Sequence, residues 1–513
     1  MDNSLFSSFV PNLSFQFVSR IISFLLNTYL IRKVDLNLIG VVNVSLTLYY
    51  TTIIFLVREP FRRTFLSSSV SISSVLDHYW LCPTLYILAA VGLYPLWLVT
   101  SWPEQVTSPE LALLAFGISA WIESLADPLV VICQRCSLNV QFAILQGIQI
   151  VAQRTFIVLF ITATALPHIT VFCYAQIFGS LLYLFAALIF TRRYLHEEGF
   201  ITADGLFSQL HFVASKREIK TFISFLWHSV AKHLATEGGS FVLTFAVNMS
   251  HEYQAVYDAI DKIGSLIVRI VLTPLDQAAE VYFSRYLKRG EDTEKQDPVK
   301  VRNATTCLIG LVHLALIAGL IACTFAVPYS PLAVWIYGGQ KFAEKHAANM
   351  LRIYCLYVVV IAVNGITECF AMSVMDNVET VKHGTFLSIA SVIQFCIAAL
   401  SSRFIWAYGI ILGNTVIMIV RIIYNWKRIR SYLKGKVSFV ATLPTLTIIC
   451  LLMFALATSS LSYLIFGREN GIVHNAAHLA VGGALFMFII NYVYHNDECL
   501  AMFLRQYNHM RTD

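Results

Sequence analysis

Charged side chains lie inside apolar stretches of this chain that are long enough to cross a lipid bilayer. Each buried charge costs roughly 2.5–3.5 kcal/mol on insertion scales, so it normally faces a water-filled cavity or a charged partner. The residues of this class are Arg20, Glu123, Asp127, Arg154, Lys232, Glu237, Lys262, Arg269, Asp276 and Glu368. Because a guanidinium group can hold a phosphate through two hydrogen bonds, the cations among them predict an interior that binds an anionic head group.

The polar residues recur at helical spacing, which places them on one face of each helix. In the first predicted span this stripe consists of Gln16, Arg20, Ser23 and Asn27. Five later spans carry the stripes Ser119/Glu123/Asp127, Gln146/Gln149/Gln153 with Arg154 beside it, Ser229/His233/Glu237, Asp258/Lys262/Ser265/Arg269/Thr273/Asp276/Glu280 and Tyr357/Asn364/Glu368. We expect the stripes to line a hydrophilic cavity between two lobes.

An alternative for these charges is that they pair with one another and hold helices together. Asp258 and Lys262 could form such a pair. Arg269 and Asp276 could form another. Six helices with polar stripes are nevertheless more than packing requires, because buried ion pairs rarely repay their desolvation.

Several buried carboxylates are candidates for coupling transport to the movement of an ion. They are Glu123, Asp127, Glu237, Asp276 and Glu368. Nothing marks a general acid–base pair among them, and the sequence has no Walker, nucleophile-elbow or HExxH motif. An isolated CxxC at Cys133 and Cys136 lacks a second ligand pair for a metal. We therefore predict a protein that is not an enzyme and needs no metal or cofactor.

The elements that must position these residues are membrane-spanning helices. The chain of 513 residues is 57% hydrophobic and only 13% charged, whereas soluble domains carry about 25% charged residues. A span needs about 20 apolar residues, which predicts an all-α polytopic membrane protein of about fourteen helices. The predicted spans are 10–31, 38–57, 81–101, 109–132, 140–165, 168–191, 221–247, 254–284, 304–327, 348–375, 380–402, 404–424, 438–466 and 472–494.

A long polar interruption near 192–220 divides the predicted spans into two sets of six. It predicts four segments, which are an N-lobe at 1–191, a cytosolic linker at 192–220, a C-lobe at 221–430, and two further helices with a cytosolic tail at 431–513. With six spans each, the lobes would share one topology, as parallel repeats do.

Basic residues in the loops predict the orientation of the chain. Their clusters fall on one side, which places both termini in the cytosol by the positive-inside rule. The net charge of +6 is thus interpreted as membrane topology, and no nucleic-acid partner is expected. Asn248 begins a glycosylation sequon on the opposite side, close to the membrane where modification is often blocked.

The segment GVVNVSLTLYYTTIIFLVREPFRR, from Gly40 to Arg63, resembles the signature of the eukaryotic Rft family. Three further blocks resemble the same family in the same order: RIISFLLNTYLIR, EGGSFVLTF and VYDAIDKIGSLIVRIVLTPLDQAAEVYFSR. The resemblance covers essentially the whole chain. It implies the MOP flippase superfamily of MATE exporters and the lipid II flippase MurJ, with two six-helix lobes around a cavity and, in MurJ, two further helices.

The resemblance also implies an activity, which is to flip Man(5)GlcNAc(2)-PP-dolichol from the cytosolic to the lumenal leaflet of the endoplasmic reticulum for N-glycosylation, without ATP. The implied partners are this dolichol-linked oligosaccharide and membrane lipids, and they could include enzymes of N-glycosylation. Arg58, Glu59, Arg62 and Arg63 carry over as the family's basic motif, where a diphosphate could first dock. They could equally be an ordinary positive-inside cluster.

Two other functions stay open from the sequence. One is an accessory, lipid-binding role in the N-glycosylation pathway without transport. The other is ion-coupled export of small solutes as in MATE proteins, where first-helix carboxylates often bind the ion. The presence of Arg20 in the first span speaks against the second alternative.

Overall fold

Long helices dominate the computed structural model, which describes residues 21–66, 75, 78–135, 139–197, 216–246, 249–343, 346–467, 471–497 and 499–501. We number the fourteen long helices of these described residues in chain order. They are α1 (21–33), α2 (Leu36–Phe65), α3 (Leu81–Leu98), α4 (Pro109–Arg135), α5 (Asn139–Ala163), α6 (His168–Glu197), α7 (216–246), α8 (251–286), α9 (Pro298–Gly338), α10 (Ala347–Val374), α11 (Asn377–Ile405), α12 (Ala407–Tyr432), α13 (Leu446–Phe466) and α14 (Ile472–Asn496).

Eleven helices in the described part of the chain are long and apolar enough to cross a membrane. The other three long helices, α1, α7 and α8, coincide with predicted spans that carry polar stripes. Charged residues lower the hydropathy of α7 and α8, which explains why composition alone does not select them. The prediction of an all-α, polytopic membrane protein with about fourteen spans is confirmed.

The chain divides into two compact units, Met1–Ala255 and Val256–Asp513. In unit 1, α7 packs against α2, and α2 also packs against α3 and α4. Helices α4, α5 and α6 share a core that consists of Ala126, Val130, Leu145, Tyr183 and Ala187. This packing fixes the helix faces that carry the buried charges of unit 1. The four segments predicted from sequence stay a prediction.

In unit 2, the 41-residue helix α9 is the helix against which several others pack. At 1.5 Å per residue it is about 60 Å long, which exceeds the apolar thickness of a bilayer. Helix α10 packs along it, and the hairpin of α13 and α14 packs on another side through a core around Ile317, Leu452 and Ile489. Helices α11 and α12 form a tight hairpin around Trp406, whose φ is 53°.

Three helices contain a short π-helical segment, where the hydrogen bonds run from i to i+5. These segments are Val41–Leu46 in α2, Val242–Ala246 in α7 and Val268–Leu272 in α8. The segments of α2 and α7 pack against each other. Single π-helical turns are rare and occur often at functional sites, and the segment in α8 contains Arg269.

Gly40 allows a very close approach of two chain segments in unit 1. Its backbone is helical, but a Cβ added there would collide with the carbonyl oxygen of His251, the first residue of α8. The absence of a side chain at this position therefore lets the start of α2 lie directly against the start of α8.

Candidate functional sites in the two units

A buried cluster of charges in unit 1 is centred on Arg58. Arg58 Nε donates to Asp127 Oδ1 at 2.8 Å, and Arg58 Nη2 donates to Glu123 Oε1 at 2.9 Å. Both acidic side chains are buried, whereas that of Arg58 is 24% exposed. The guanidinium group therefore bridges two carboxylates of α4, and we call these three residues the Arg58 cluster.

Local backbone structure brings the two carboxylates of this cluster together. Glu123 and Asp127 are four residues apart, so they lie on the same face of α4 as the sequence predicts. The helix is interrupted by a turn at Leu125 and Ala126, and it resumes at Asp127 with Pro128 in its first turn. Proline is favoured at this position because its missing N–H would have no partner there.

Tyrosine hydroxyls satisfy the remaining carboxylate oxygens of the Arg58 cluster. Tyr86 donates to Asp127 Oδ2 at 2.6 Å, and Tyr50 donates to Glu123 Oε2. The Arg58 guanidinium carbon lies 6.0 Å from the centre of the Tyr183 ring. At the edge of the site, burial raises the pKa of Tyr79 to about 12, so this residue keeps its proton and donates to the Leu125 carbonyl at 2.7 Å.

A second group of charges in unit 1 joins α2 to α7. Glu59 Oε1 lies 2.9 Å from Lys232 Nζ and 2.9 Å from Arg63 Nη2. The Lys232 ammonium also lies 5.6 Å from the centre of the Phe55 ring. Its neighbour His233 is buried, stacks on Phe55 and lies 2.9 Å from the Thr52 hydroxyl. These contacts hold the polar face of α7 against α2.

The basic motif of α2 thus separates into residues with different surroundings. Arg58 and Arg63 are ion-paired with carboxylates of unit 1. Arg62 is partly exposed and forms no ion pair with any described residue. Within this motif, Arg62 is therefore the arginine whose charge is least compensated in the described structure.

The polar stripe of α8 is only partly paired. Lys262 Nζ lies 2.6 Å from Asp258 Oδ2, as the sequence suggested. The other suggested pair is absent, because no ion pair joins Arg269 to Asp276, and both of these residues are described. Arg269 is exposed within unit 2. The carboxylate of Asp276 packs against Gly365 of α10, where an added Cβ would collide with it.

A partly buried ion pair in unit 2 joins α10 to α12. Glu368 Oε2 accepts from Arg421 Nη2 at 2.5 Å and from Asn364 Nδ2 at 3.1 Å. Its other oxygen, Oε1, lies 3.7 Å from Nε2 of His383, a residue of α11 that is 1% exposed. We call Glu368, Arg421, His383 and Asn364 the Glu368 cluster.

The remaining candidate residues are distributed over unit 1. Asn27 in α1 is buried, and Arg154 in α5 is half-buried. Glu237 in α7 accepts a hydrogen bond from Ser240 at 3.1 Å. Arg20 and Asn248 lie outside the described residues. The roles predicted for all of these residues in binding, ion coupling or glycosylation stay predictions.

Sequence reasoning missed two hydrogen-bond partners of the Arg58 cluster and two members of the Glu368 cluster. Tyr50 and Tyr86 give no signal because aromatic residues are common in membrane helices, whereas Arg421 could have been found as a charge inside the predicted span 404–424. His383 lies within the predicted span 380–402, where a lone histidine is usually hydrogen-bonded and structural.

Comparison with solved structures defines the class of protein. The structure of "Lipid II flippase MurJ, inward closed conformation" matches with a TM-score of 0.67, covering 95% of this chain and 99% of MurJ at 11% sequence identity. The Vibrio cholerae MATE transporter VcmN, as its D35N mutant, matches with a TM-score of 0.53, covering 84% of this chain and 97% of VcmN at 13% identity. At these identities the similarity concerns the fold alone, which is the fold shared by MurJ and the MATE protein VcmN.

The sequence then gives the family. A family model described as "Rft protein" matches residues 4–506, and the chain belongs to the Rft family. The "Man(5)GlcNAc(2)-PP-dolichol translocation protein RFT1" of Caenorhabditis elegans is 36% identical over 493 residues, which cover 93% of this chain and 94% of that protein. The Mus musculus protein of the same name is 29% identical over 512 residues, covering 96% and 94%.

Proposed function

We propose that this protein moves the lipid-linked oligosaccharide Man(5)GlcNAc(2)-PP-dolichol across the membrane of the endoplasmic reticulum for N-glycosylation. The observation that carries the proposal is the similarity to proteins named for this translocation over more than nine-tenths of the chain. The MurJ-like fold supports it, because MurJ is named as a flippase of another lipid.

Physical chemistry explains why such a substrate needs a protein with buried cations. Transfer of an isolated charged group into an apolar medium costs tens of kcal/mol, so a diphosphate crosses hydrocarbon extremely slowly without help. Arginine can bind each phosphate through two hydrogen bonds and lower this barrier. The polyprenyl tail can stay in the lipid throughout, because it is apolar.

The charges most available for the diphosphate are those that form no ion pair or only a half-exposed one. Arg62 in unit 1 and Arg269 in unit 2 form no ion pair with a described residue, and we assign them first contact with the substrate. Lys232 is half-exposed in a single surface-type pair, so it can exchange Glu59 for phosphate at low cost. Arg58 holds two buried carboxylates, and we assign it to the framework of the site.

The mechanism we propose is alternating access from the cytosolic to the lumenal leaflet, with both termini in the cytosol. Lumenal consumption of the oligosaccharide draws the equilibrium forward, so no nucleotide is needed. Glu123, Asp127, Glu237, Asp276 and Glu368 stay candidates for coupling this movement to an ion.

A triple substitution tests the role of the cations. Arg20→Gln, Lys232→Gln and Arg269→Gln together should abolish lumenal oligosaccharide supply, while the protein stays folded in the membrane. The matched control neutralises three exposed cations near α9 and α12, with Lys295→Gln, Lys300→Gln and Lys436→Gln, and should retain activity. A normal supply of lumenal oligosaccharide in the variant that lacks the charges of Arg20, Lys232 and Arg269 would refute a role of these cations in substrate binding.

A second experiment separates transport from an accessory role. The purified protein is placed in liposomes that contain a defined dolichol-linked oligosaccharide, and the fraction of lipid that reaches the opposite leaflet is measured over time. We expect faster translocation than in protein-free liposomes. Binding of the lipid with no increase in translocation would contradict the proposed transport and favour a scaffold for glycosylation enzymes.

A further inference from the structure

Several polar atoms of α10, α11 and α12 in unit 2 are buried without a hydrogen-bond partner. They are Asn364 Oδ1, both ring nitrogens of His383, Arg421 Nε, both amide atoms of Asn425, and Arg428 Nε. More than nine-tenths of buried polar groups in proteins have a partner. A concentration of exceptions at one place therefore indicates a site that takes up something small and polar.

His383 is the most unusual of these residues. A neutral imidazole has one N–H and one lone pair, and here neither ring nitrogen has a hydrogen-bond partner although the residue is 1% exposed. Nε2 lies 3.7 Å from Glu368 Oε1, about 1 Å beyond a charge-assisted hydrogen bond. One face of the ring stacks near Tyr424, so the ring is held in place while its nitrogens stay unused.

The charges around His383 do not balance. The titratable or charged groups there are Glu368 and Cys369 of α10, Arg421 and Tyr424 of α12, Glu379 of α11, and Asp276 and Glu280 of α8. Asp276 lies against Gly365, one helical turn before Glu368, so both carboxylates share one face of α10. Among the described residues, Arg421 is the one arginine or lysine that forms an ion pair with either of these two partly buried carboxylates, so the two together are one positive charge short.

A row of polar side chains leads from this group toward the end of α12. Arg421, Asn425 and Arg428 are spaced by four and three residues, so they lie on one helix face. Asn425 is completely buried with an unpartnered amide. Arg428 Nη2 lies 2.5 Å from Glu379 Oε2, and this pair is about one-third exposed, with 29% and 34% of the side chains accessible. Buried water typically fills polar sites of this kind.

We propose that His383 and Glu368 form a proton-binding site inside unit 2, reached from water along Asn425, Arg428 and Glu379. The proton adds to the free lone pair of His383, no other bond breaks, and the resulting imidazolium donates to Glu368 Oε1. This proton supplies the missing positive charge. It also competes with Arg421 for Glu368, so protonation loosens the contact between α10 and α12.

A proton fits this site better than a metal cation does. The ring of His383 supplies a nitrogen, whereas alkali cations and Mg²⁺ prefer oxygen ligands. A proton on the ring instead forms a hydrogen bond that needs only a small movement.

Hydrogen–deuterium exchange at the imidazole C2 position, read by mass spectrometry, tests the site in the full-length protein in lipid nanodiscs. The exchange rate of His383 should follow a titration curve in the wild type. Glu368→Gln should weaken proton binding at least tenfold, which moves the midpoint down by about one pH unit or more. Arg421→Gln should move it in the opposite direction, because a repelling charge is removed.

His313 provides an internal reference in the same spectra. Its Nδ1 lies 3.0 Å from the Thr442 carbonyl and its Nε2 lies 2.8 Å from Asp497, and it contacts neither Glu368 nor Arg421, so its exchange rate should be the same in the wild type and in both variants. If Glu368→Gln does not fold, Asp276→Asn should lower the His383 midpoint in the same direction.

Three outcomes would overturn the proposal. The first is an exchange rate of His383 that does not change with pH between about pH 4 and 9. The second is a midpoint that none of the substitutions moves, and the third is a midpoint that shifts when sodium replaces choline in the buffer. The last result would assign the site to a metal cation. The measurement uses no dolichol-linked lipid, so it can succeed or fail independently of the translocation assays.

Discussion

Arg58, which the sequence predicts to bind substrate, is paired with two carboxylates in the structure. Its guanidinium group satisfies Glu123 and Asp127 at once, and both carboxylates are buried in α4. Removing one partner of a buried ion pair leaves an uncompensated charge, which costs more than the pair itself contributes. Arg62 lies one turn further along the same helix and forms no ion pair with a described residue.

We therefore expect different effects from the same substitution at these two arginines. Arg58→Gln should destabilise the protein by about 3 kcal/mol, because two buried carboxylates lose their cation. Arg62→Gln should change stability by less than about 0.5 kcal/mol, because it removes no ion pair with a described residue. Thermal unfolding in detergent, followed by the fraction that remains monodisperse, measures both variants.

A second comparison checks the cause at Arg58. Combining Arg58→Gln with Glu123→Gln and Asp127→Asn should recover part of the lost stability, because no charge is then left unpaired. Equal stability of Arg58→Gln and the wild type would show that the cluster is solvated in solution and that Arg58 is available to a ligand.

The sequence predicts which face of a helix carries charge, but it does not predict what that face meets. Spacing alone placed Glu123 and Asp127 on one stripe of α4, and the structure brings both to one guanidinium group. That Arg58 of α2 is their partner depends on how α2 packs against α4, which no local pattern encodes. The same limit applies to Glu368, whose partner Arg421 lies 53 positions away in the chain.

At the scale of elements, hydropathy and length predicted the helices well, because about 20 apolar residues in a row have few alternatives in a bilayer. The π-helical segments were not predicted, since one extra residue in a turn leaves the hydropathy of a span unchanged. The close approach of Gly40 to His251 was also not predicted. A glycine inside a helical pattern can have several structural roles, and only the tertiary structure shows which role it has.

Gly40 gives a prediction about how α2 is positioned. Gly40→Ala should destabilise the protein by about 1–3 kcal/mol, because the new methyl group overlaps the His251 carbonyl and forces the backbones apart. Gly92→Ala in α3 is the control, since a Cβ there meets nothing within 4 Å. It should be neutral or stabilising by up to about 1 kcal/mol through helix propensity.

Thermal unfolding of both glycine variants under identical conditions gives the comparison. A Gly40→Ala protein as stable as Gly92→Ala would mean that the start of α2 does not lie against His251 in the membrane.

At the scale of the whole molecule, the two units contain charge clusters of similar composition. Each cluster has a glutamate, Glu123 in α4 and Glu368 in α10, that would lie in the fourth helix of its lobe if the predicted sets of six helices hold, and each glutamate is held by one arginine. The arginine comes from α2 in unit 1 and from α12 in unit 2. The parallel agrees with repeats of the same topology, in which equivalent helices keep a role while their partners diverge.

Topology can be tested by the accessibility of introduced cysteines. With both termini in the cytosol, the loop after α3 is lumenal and the loop after α8 is cytosolic. In a cysteine-free background, Lys295→Cys should react with a membrane-impermeant maleimide when only the plasma membrane is opened, whereas Glu104→Cys should not. Both positions are exposed, so burial does not confuse the result.

Opening the endoplasmic reticulum membrane should make Glu104→Cys reactive as well, which confirms that its thiol is competent. Reaction of Glu104→Cys before that step, with Lys295→Cys protected, would reverse the orientation.

The π-helical segment of α8 has a geometric consequence for Arg269. An α-helix turns by about 100° per residue, and a π-helical turn stores one residue more than an ordinary turn. If Val268–Leu272 tightens to an α-helix, everything on one side of it rotates by about a quarter of a revolution relative to the other side. When such a segment changes from a π-helix to an α-helix, a guanidinium group within it rotates about the helix axis. The direction in which its charge points can therefore change without a hinge elsewhere in the helix.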